Sequence, residues 1–290
     1  MSGMSASHPL TLSELRSGTQ PWSLSIVLPE IGGGKATADD LAQIDAAPHA
    51  TAIRLSGLDQ RTFEEFVSKY GKQFVGIDFW KCPRIEDMSP LEDLPQLTHV
   101  AFYWNQRVTQ LWSLRSTPRL RGLEFMDFSR LKTLDDLAEG LSLEELQFGD
   151  AIDDKNVFQS LKPLAGLPRL RELTAIAKGI ADGSIHPLAQ LPALRKIECS
   201  LRLFTTEQCA WLRAHLGDSV EGRILQASQR LDKPLGESSK DTFIVGKGKP
   251  FLSSSQDAGR IAKYEREFWR MVDEFRRDPA KEPAATSLKQ

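Results

Sequence analysis

The sequence predicts an α/β repeat solenoid, in which short strand-and-turn units share one parallel sheet and one core. Three observations lead to this prediction. A six-residue strand pattern recurs along much of the chain, a second apolar pattern with a spacing of three lies between its copies, and prolines stand at a fixed distance before several strands. One unit cannot bury its apolar face alone, so the units are expected to stack.

Apolar residues occupy the first, fourth and sixth positions of the strand pattern. The segment 97–102 shows it in full with Leu97, Val100 and Phe102. The intervals between successive copies are 24, 23, 23, 23, 27 and 24 residues, and their first residues are Ala50, Phe74, Leu97, Leu120, Leu143, Leu170 and Leu194. Side chains alternate along a strand, so positions four and six are predicted to enter the core together.

The connecting segments carry apolar residues three positions apart, which is the spacing of 3₁₀ turns rather than of a long α-helix. In the unit that begins at Phe74 these residues are Ile85, Met88, Leu91 and Leu94. Proline has no N–H to donate, so it is tolerated at a strand entrance, outside the hydrogen-bonded ladder. The prolines two residues before a first apolar position are Pro95, Pro118, Pro168 and Pro192.

The segment from Ile85 to Leu97 resembles the leucine-rich-repeat family, in particular its bacterial short-repeat type seen in internalins and in a phosphatase regulatory subunit. The resemblance covers roughly residues 50–202. It implies a horseshoe with a parallel concave sheet, 3₁₀ and short helical segments on the convex side, and helical caps. Asn105 and Cys82 fall where the family places a side chain that caps the turn backbone. Other units lack these residue types, so the ladder of turn caps is expected to be irregular. Those units carry Leu58, Phe128, Ala151, Lys178 and Arg202.

Five segments are predicted along the chain. Residues 1–49 hold a first strand near Leu24–Leu28 and a capping helix over Thr37–Ala46. Residues 50–225 form the solenoid, including a helix at 62–69 and a helical C-terminal unit that opens at Thr205. Residues 226–257 are rich in Ser, Gly, Lys and Pro and are interpreted as a loop or linker. An amphipathic helix follows at 258–277, and residues 278–290 are expected to be a disordered tail.

The helix at 258–277 has an apolar face and a basic face. Its apolar residues have helical spacing and are Ile261, Tyr264, Phe268, Met271, Val272 and Phe275. Two interpretations remain open. The helix caps the end of the solenoid, or it binds a partner or a membrane surface.

Composition argues against several classes of protein. The formal net charge of −2 lacks the basic excess typical of nucleic-acid-binding proteins. No apolar run approaches the length that a membrane span requires, and no secretory signal is visible. The three cysteines lack the spacing of a disulfide framework or a zinc site, so they are expected to be reduced and structural in a reducing cytoplasm.

No catalytic motif stands out, so we expect a protein that is not an enzyme and that holds neither a metal nor a cofactor. The run 246–250 lacks the spacing of a phosphate-binding loop. The acidic pairs at 135–136 and 153–154 are interpreted as solvated turn residues. Cys199 occupies a core position. Some bacterial leucine-rich-repeat proteins carry a ubiquitin ligase with a catalytic cysteine after the repeats, but no cysteine follows Cys209 here.

Strand residues between the core positions are expected to point to the concave face, where equivalent residues of neighbouring units lie side by side. Position seven then places Trp80, Tyr103 and Met126 in a row as an exposed apolar run. Exposed aromatic residues in a row are typical of binding hot spots. The complete candidate site adds an acidic rim and the residues at position eight, and comprises Asp78, Trp80, Tyr103, Trp104, Glu124, Met126 and Asp127. The alternatives are that terminal segments fold over this row, or that Trp80 and Tyr103 only stack across strands.

The sequence therefore predicts a protein-interaction module that binds another protein through the concave face, with no nucleic acid as partner. The acidic rim suggests a partner with a basic surface. A narrower version is an immunity protein or inhibitor that blocks a toxin or enzyme, and an alternative is an effector secreted into another cell. An enzyme with its site in the C-terminal segment is the third alternative.

Overall fold

The structure, a computed structural model, describes residues 10–151, 155–234 and 239–283. Short helices alternate with short strands through most of this chain, as the repeat predicts. The α-helices are α1 (Leu12–Ser17), α2 (Ala38–Ala42), α3 (Gln60–Lys69), α4 (His186–Ala189), α5 (Thr206–Leu216) and α6 (Ala258–Arg277). The strands are β1 (Ser23–Ile26), β2 (Ala52–Ser56), β3 (Gly76–Trp80), β4 (His99–Asn105), β5 (Gly122–Phe128), β6 (Glu145–Gly149), β7 (Val157–Phe158), β8 (Glu172–Ile176), β9 (Gly179–Ile180), β10 (Lys196–Cys199), β11 (Ser228–Arg230), β12 (Thr242–Ile244) and β13 (Phe251–Leu252).

One sheet collects a strand from each repeat. Its order is β1-β2-β3-β4-β5-β6-β8-β10, which is also the order along the chain. The pairs β1–β2, β2–β3, β3–β4 and β4–β5 are parallel. Equivalent repeat positions are direct partners, for example Phe79 with Phe102 and Phe102 with Phe125. The repeat phase therefore predicts the register correctly.

Two compact units make up the chain, the first from residues 1–131 and 139–147 and the second from 132–138 and 148–290. In the first unit, the fourth and sixth strand positions fill the core, as predicted. Phe79 stacks on Phe102 with ring centroids 4.4 Å apart, and α3 adds Phe63, whose ring meets Phe79 edge-on at 5.4 Å. The residues at three-residue spacing, Ile85, Met88, Leu91 and Leu94, are all buried. Leu91 belongs to a 3₁₀ helix, as the spacing predicts.

In the second unit, α5 begins at the N-cap Thr205, whose side chain accepts a hydrogen bond from the Gln208 N–H. The helix α6 spans the predicted residues and packs against α5. Its Phe268, Val272 and Phe275 are buried, because the apolar stripe of the helix faces the rest of the unit. These contacts favour the interpretation of α6 as a cap.

Residues 226–257 are more ordered than a loop or linker, so that interpretation is wrong for part of the segment. Strands β11, β12 and β13 form an antiparallel sheet. Ile244 and Leu252 are buried with Ile261 of α6 in a small apolar cluster. These strands have only two or three residues each, too few for an alternating pattern to be visible in the sequence. Of the predicted tail, residues 284–290 lie outside the described residues.

Candidate functional site

The helix α1 lies against the sheet and shapes the candidate site. Thr11 and Glu14 form a capping box, in which each side chain accepts a hydrogen bond from the other residue's backbone N–H. Gly18 ends the helix in the left-handed conformation, with φ of 61°. Both signals are visible in the sequence, but the repeat pattern predicts no helix here, because the segment precedes the first repeat.

We call the surface of β2–β5 that meets this helix the α1 face, and its residues lie in three rows across the strands. The first row is Ala52, Gly76, His99 and Gly122. The second row is Arg54, Asp78, Ala101 and Glu124. The third row is Ser56, Trp80, Tyr103 and Met126.

Small residues in the first two rows let α1 approach the strands. Leu15 is buried against Ala52 and Ala101, and Leu12 is also fully buried. A Cβ added at Gly76 would come within 3.1 Å of a Leu15 methyl carbon, and one added at Gly122 within 3.0 Å of Leu12 Cγ. The sheet is therefore shaped to receive these two leucines.

Two carboxylates of the second row are buried under or beside α1. Arg54 Nε donates to Asp78 Oδ2 at 2.7 Å, and its Nη2 donates to the Arg16 carbonyl at 2.6 Å. Arg16 forms an ion pair with Glu124 Oε1. Among the described residues, one buried oxygen of each carboxylate has no hydrogen-bond partner, namely Asp78 Oδ1 and Glu124 Oε2. A buried acceptor without a partner is costly, so these two oxygens are unusual.

Burial changes the protonation of these acids. It raises the pKa of Glu124 to about 7, although Arg16 opposes the shift, and the charge of Asp78 raises the pKa further. Burial also raises the pKa of Asp78, against the attraction of Arg54. In the first row, burial lowers the pKa of His99 to about 4, with a smaller contribution from the Arg121 charge.

The third row carries two aromatic rings that α1 does not bury and that remain partly exposed. Trp80 and Tyr103 stack with centroids 4.4 Å apart and an interplanar angle of 15°. Cations surround Trp80, because Arg54, Lys81 and Arg16 lie 5.1, 5.5 and 5.8 Å from its ring centroid. These groups make Trp80 part of a cationic aromatic surface.

Position eight of the repeat lies just beyond the third row and has an unusual backbone. Lys81, Trp104 and Asp127 have positive φ angles of 53°, 64° and 58°. Gly57 occupies the same position in the first repeat, with φ of 72°. For residues other than glycine, this conformation is strained by roughly 1 kcal/mol or more. Trp104 is partly exposed in spite of this strain. We call Trp80, Tyr103 and Trp104 together the aromatic ridge.

The structure places the predicted site residues in two different environments. Trp80, Tyr103, Trp104 and Asp127 are partly exposed. Burial raises the pKa of Tyr103, and the Asp127 carboxylate, which hydrogen-bonds to it, raises the pKa further.

The prediction of exposure is wrong for the other three residues, Asp78, Glu124 and Met126, whose exposed fractions are 0%, 1% and 8%. For Asp78 and Glu124 the reason is that they lie in the rows that α1 closes, so they do not form an exposed acidic rim. Both alternatives raised from the sequence therefore apply in part, because a terminal segment covers two rows and the two rings do stack.

Turn-capping side chains lie where the family resemblance implies them. Asn105 Nδ2 donates to the carbonyls of Cys82 and Ile85 at 3.0 Å each, and its Oδ1 accepts from the N–H groups of Arg107 and Val108. Cys82 Sγ lies 3.7 Å from the Leu55 carbonyl. One side chain thus joins two successive repeats. The three cysteines are free and buried, and burial raises the pKa of Cys82 and Cys209 to about 12 each.

Among the described residues, no group of His, Cys, Asp and Glu side chains could hold a metal ion, and no helix combines the length and apolar character of a membrane span. An open hollow of about 600 Å³ lies on α6, beside Trp269, Arg266 and Asp273. A single helix forms its wall, so it is a surface groove and not a catalytic cleft. The acidic pair at 153–154 lies outside the described residues.

Comparisons with known proteins give structural likenesses only. No family model matches the sequence, and no curated protein matches it. Internalin C2 of Listeria monocytogenes is similar with a TM-score of 0.43 and 20% identity, over 57% of this chain and 77% of that chain. TLR13 in its complex with ssRNA13 gives 0.46 and 15%, over 61% of this chain and 25% of that chain. Internalin F of Listeria monocytogenes gives 0.37 and 17%, over 64% and 62%.

The fold assignment rests on the chain's own geometry. Units of about 23 residues each add one parallel strand in register, three-spaced apolar residues return the chain through 3₁₀ turns, and Asn105 ties one turn to the next. In fold, the chain is a leucine-rich-repeat solenoid.

Proposed function

We propose that this chain is a non-catalytic protein-interaction module of the cytoplasm that binds a partner protein through the aromatic ridge. The observation that carries the proposal is the arrangement of Trp80, Tyr103 and Trp104 on two neighbouring strands, all partly exposed. Clustered aromatic residues of this kind supply large contact areas with little loss of side-chain freedom, and they dominate the binding energy of many interfaces.

The backbone at Trp104 supports the proposal. Glycine would occupy this left-handed position without strain, as Gly57 does in the first repeat. Because Trp104 is only partly buried, burial of its side chain stabilises the fold less than burial of a core residue would, and it offsets less of the backbone strain. Strained residues that persist at the surface cluster at functional sites, which is the pattern expected if Trp104 contacts a partner.

The charges around the ridge suggest the chemistry of the partner. Arg16, Arg54 and Lys81 border Trp80, and Asp127 lies beside Tyr103. The expectation of a basic partner depended on exposed carboxylates at Asp78 and Glu124, which are buried. A partner segment with apolar side chains and at least one carboxylate opposite Lys81 fits the accessible surface better.

Pull-down with the purified chain as bait tests the proposal. Trp80→Ala/Tyr103→Ala is compared with wild type and with Trp269→Ala, which removes an exposed tryptophan of α6, far along the sequence and 37% exposed. We expect the double variant to lose at least nine tenths of the captured partner, while Trp269→Ala keeps it. Equal capture by a folded double variant contradicts the proposal. If the partner is a toxin or enzyme that this chain inhibits, the captured protein also loses its activity on binding.

A further inference from the structure

The rows beneath α1 form a groove with more binding capacity than α1 uses. Leu12 and Leu15 fill the space above Ala52, Ala101 and the glycines of the first row. Arg16 is the cation that α1 brings to the carboxylates of the second row. Asp78 Oδ1 and Glu124 Oε2 remain buried, and no group in the part of the chain that the structure describes donates a hydrogen bond to them. A further hydrogen-bond donor brought into the groove could therefore bond to these two oxygens.

The contacts that hold α1 in this groove are few. The helix has six residues, a length that is unstable in isolation. Besides its two buried leucines, the ties to α1 among the described residues are the Arg16–Glu124 ion pair, the bond from Arg54 to the Arg16 carbonyl, and the Leu12 N–H, which donates to Glu145 at 3.1 Å. The Arg16 guanidinium also lies 5.8 Å from the ring centroids of Trp80 and Tyr103. Gly18 follows directly, with open space around its α-carbon, so the chain can turn there when the helix moves.

The central sheet has a different basis for its stability. Backbone hydrogen bonds link β4 to strands on both sides, and its inward residues Val100 and Phe102 are at most 1% exposed. Opening of α1 breaks a small number of contacts, whereas opening of β4 breaks the core. Local opening with a lower free energy is therefore expected for α1.

We propose that α1 is a detachable cover of a helix-binding groove, and that the groove accepts a short amphipathic helix with two leucines three residues apart followed by an arginine. The proposal rests on the proposed function and extends it, since the partner surface then continues from the aromatic ridge into the second row. The partner helix displaces α1 and supplies its own cation to Asp78 and Glu124. Because α1 is tethered, it competes at a high effective concentration, so the groove stays closed until a stronger helix arrives.

A labelled peptide with the sequence of residues 10–20 provides the probe, and fluorescence anisotropy measures its binding to the full chain. The first receptor is wild type and the second carries Leu12→Ser/Leu15→Ser, which weakens the cover. We expect at least tenfold tighter binding to the second. Adding Glu124→Gln to that receptor, or Arg16→Glu to the peptide, should weaken binding at least tenfold. Failure of the peptide to bind a folded second receptor overturns the proposal, as does binding that ignores both charge changes.

Hydrogen–deuterium exchange of the wild-type chain is an independent measurement, needed if the double-serine variant does not fold. The amides of Leu15 and Gly18 report on α1, and that of His99 reports on β4, where it donates to the Val75 carbonyl. We expect at least hundredfold faster exchange in α1. Equal protection shows that α1 is an integral part of the fold and overturns the proposal. The peptide can fail to bind while partner capture still depends on the aromatic ridge. That result rejects the proposal that α1 is detachable, but it does not contradict the proposed function of the ridge.

Discussion

The first two rows of the α1 face and the third-row rings Trp80 and Tyr103 lie on the same side of the same strands, but they differ in exposure and in charge. In the first two rows Asp78, Ala101 and Glu124 are almost completely buried. On the ridge, Trp80 and Tyr103 remain partly exposed among cations. The difference arises from side-chain size, because alanine and glycine let α1 descend to the strands, whereas two large stacked rings keep it away.

This contrast shows that the phase of a repeat assigns a residue to a face but does not decide its exposure. Ala101 and Tyr103 are two residues apart on β4 and point in the same direction, as alternation requires. Ala101 is covered by α1, whereas Tyr103 is partly exposed. The repeat pattern does not predict this difference, because α1 belongs to a segment outside the repeat.

The largest effect is expected from Arg54→Ala, which leaves the Asp78 carboxylate buried without its ion-pair partner. Removing one member of a buried pair destabilises by about 3 kcal/mol, so we expect a loss of that size in the free energy of unfolding. Urea denaturation measures it. The double variant Arg54→Ala/Asp78→Ala is the control and should recover part of the loss. If the two variants are equally unstable, Arg54 acts through its packing and not through its charge.

A smaller effect is expected from Leu15→Ala than from Leu123→Ala, although both residues are buried leucines. Leu123 lies in the core of β5, where truncation costs about 3 kcal/mol. Leu15 belongs to the cover, whose local opening limits the loss to about 1 kcal/mol. Parallel denaturation of the two variants measures the difference. Equal losses would show that α1 unfolds only together with the sheet.

The pH dependence of stability tests the burial of Glu124. Its pKa rises from 4.5 to about 7 on folding. Between these values the folded protein holds a proton that the unfolded chain has released, so this group's contribution to stability is full below about pH 4.5 and is lost as the pH rises through 7. Glu124 alone is expected to lower the free energy of unfolding by about 3 kcal/mol across this interval. His99, whose pKa is lowered to about 4 by burial, acts in the opposite direction over much of the same range, so the effect of Glu124 is measured against a matched variant.

Glu124→Gln provides the control for this prediction, since glutamine cannot titrate but keeps the size of the side chain. As the pH falls from 7 to 4.5, the free energy of unfolding of wild type should therefore rise relative to that of the variant. A difference that is independent of pH contradicts the burial of an ionisable group at position 124.

Much of the fold can be predicted from the sequence, because it depends on local, repeated information. The strand pattern predicts the pairing of Trp80 with Tyr103 and of Tyr103 with Met126, and the structure has both. The cap at Asn105 is implied by the resemblance to the leucine-rich-repeat family, and the structure has it. The elements that the repeat pattern does not predict come from segments without a repeat, namely α1 and the strands β11–β13, whose positions depend on long-range packing. The burial of Asp78 and Glu124 is a consequence of α1, so it could not be predicted without that helix.

One substitution tests the central claim, that the open part of the sheet face serves binding and not stability. Trp104→Gly removes a ridge side chain and relieves a left-handed backbone, so loss of contacts and relief of strain largely offset each other. The measurement is partner capture by this variant, with urea denaturation on the same sample. We predict at least tenfold weaker capture while the free energy of unfolding stays within about 1 kcal/mol of wild type. Undiminished capture by a stable Trp104→Gly protein would contradict the account.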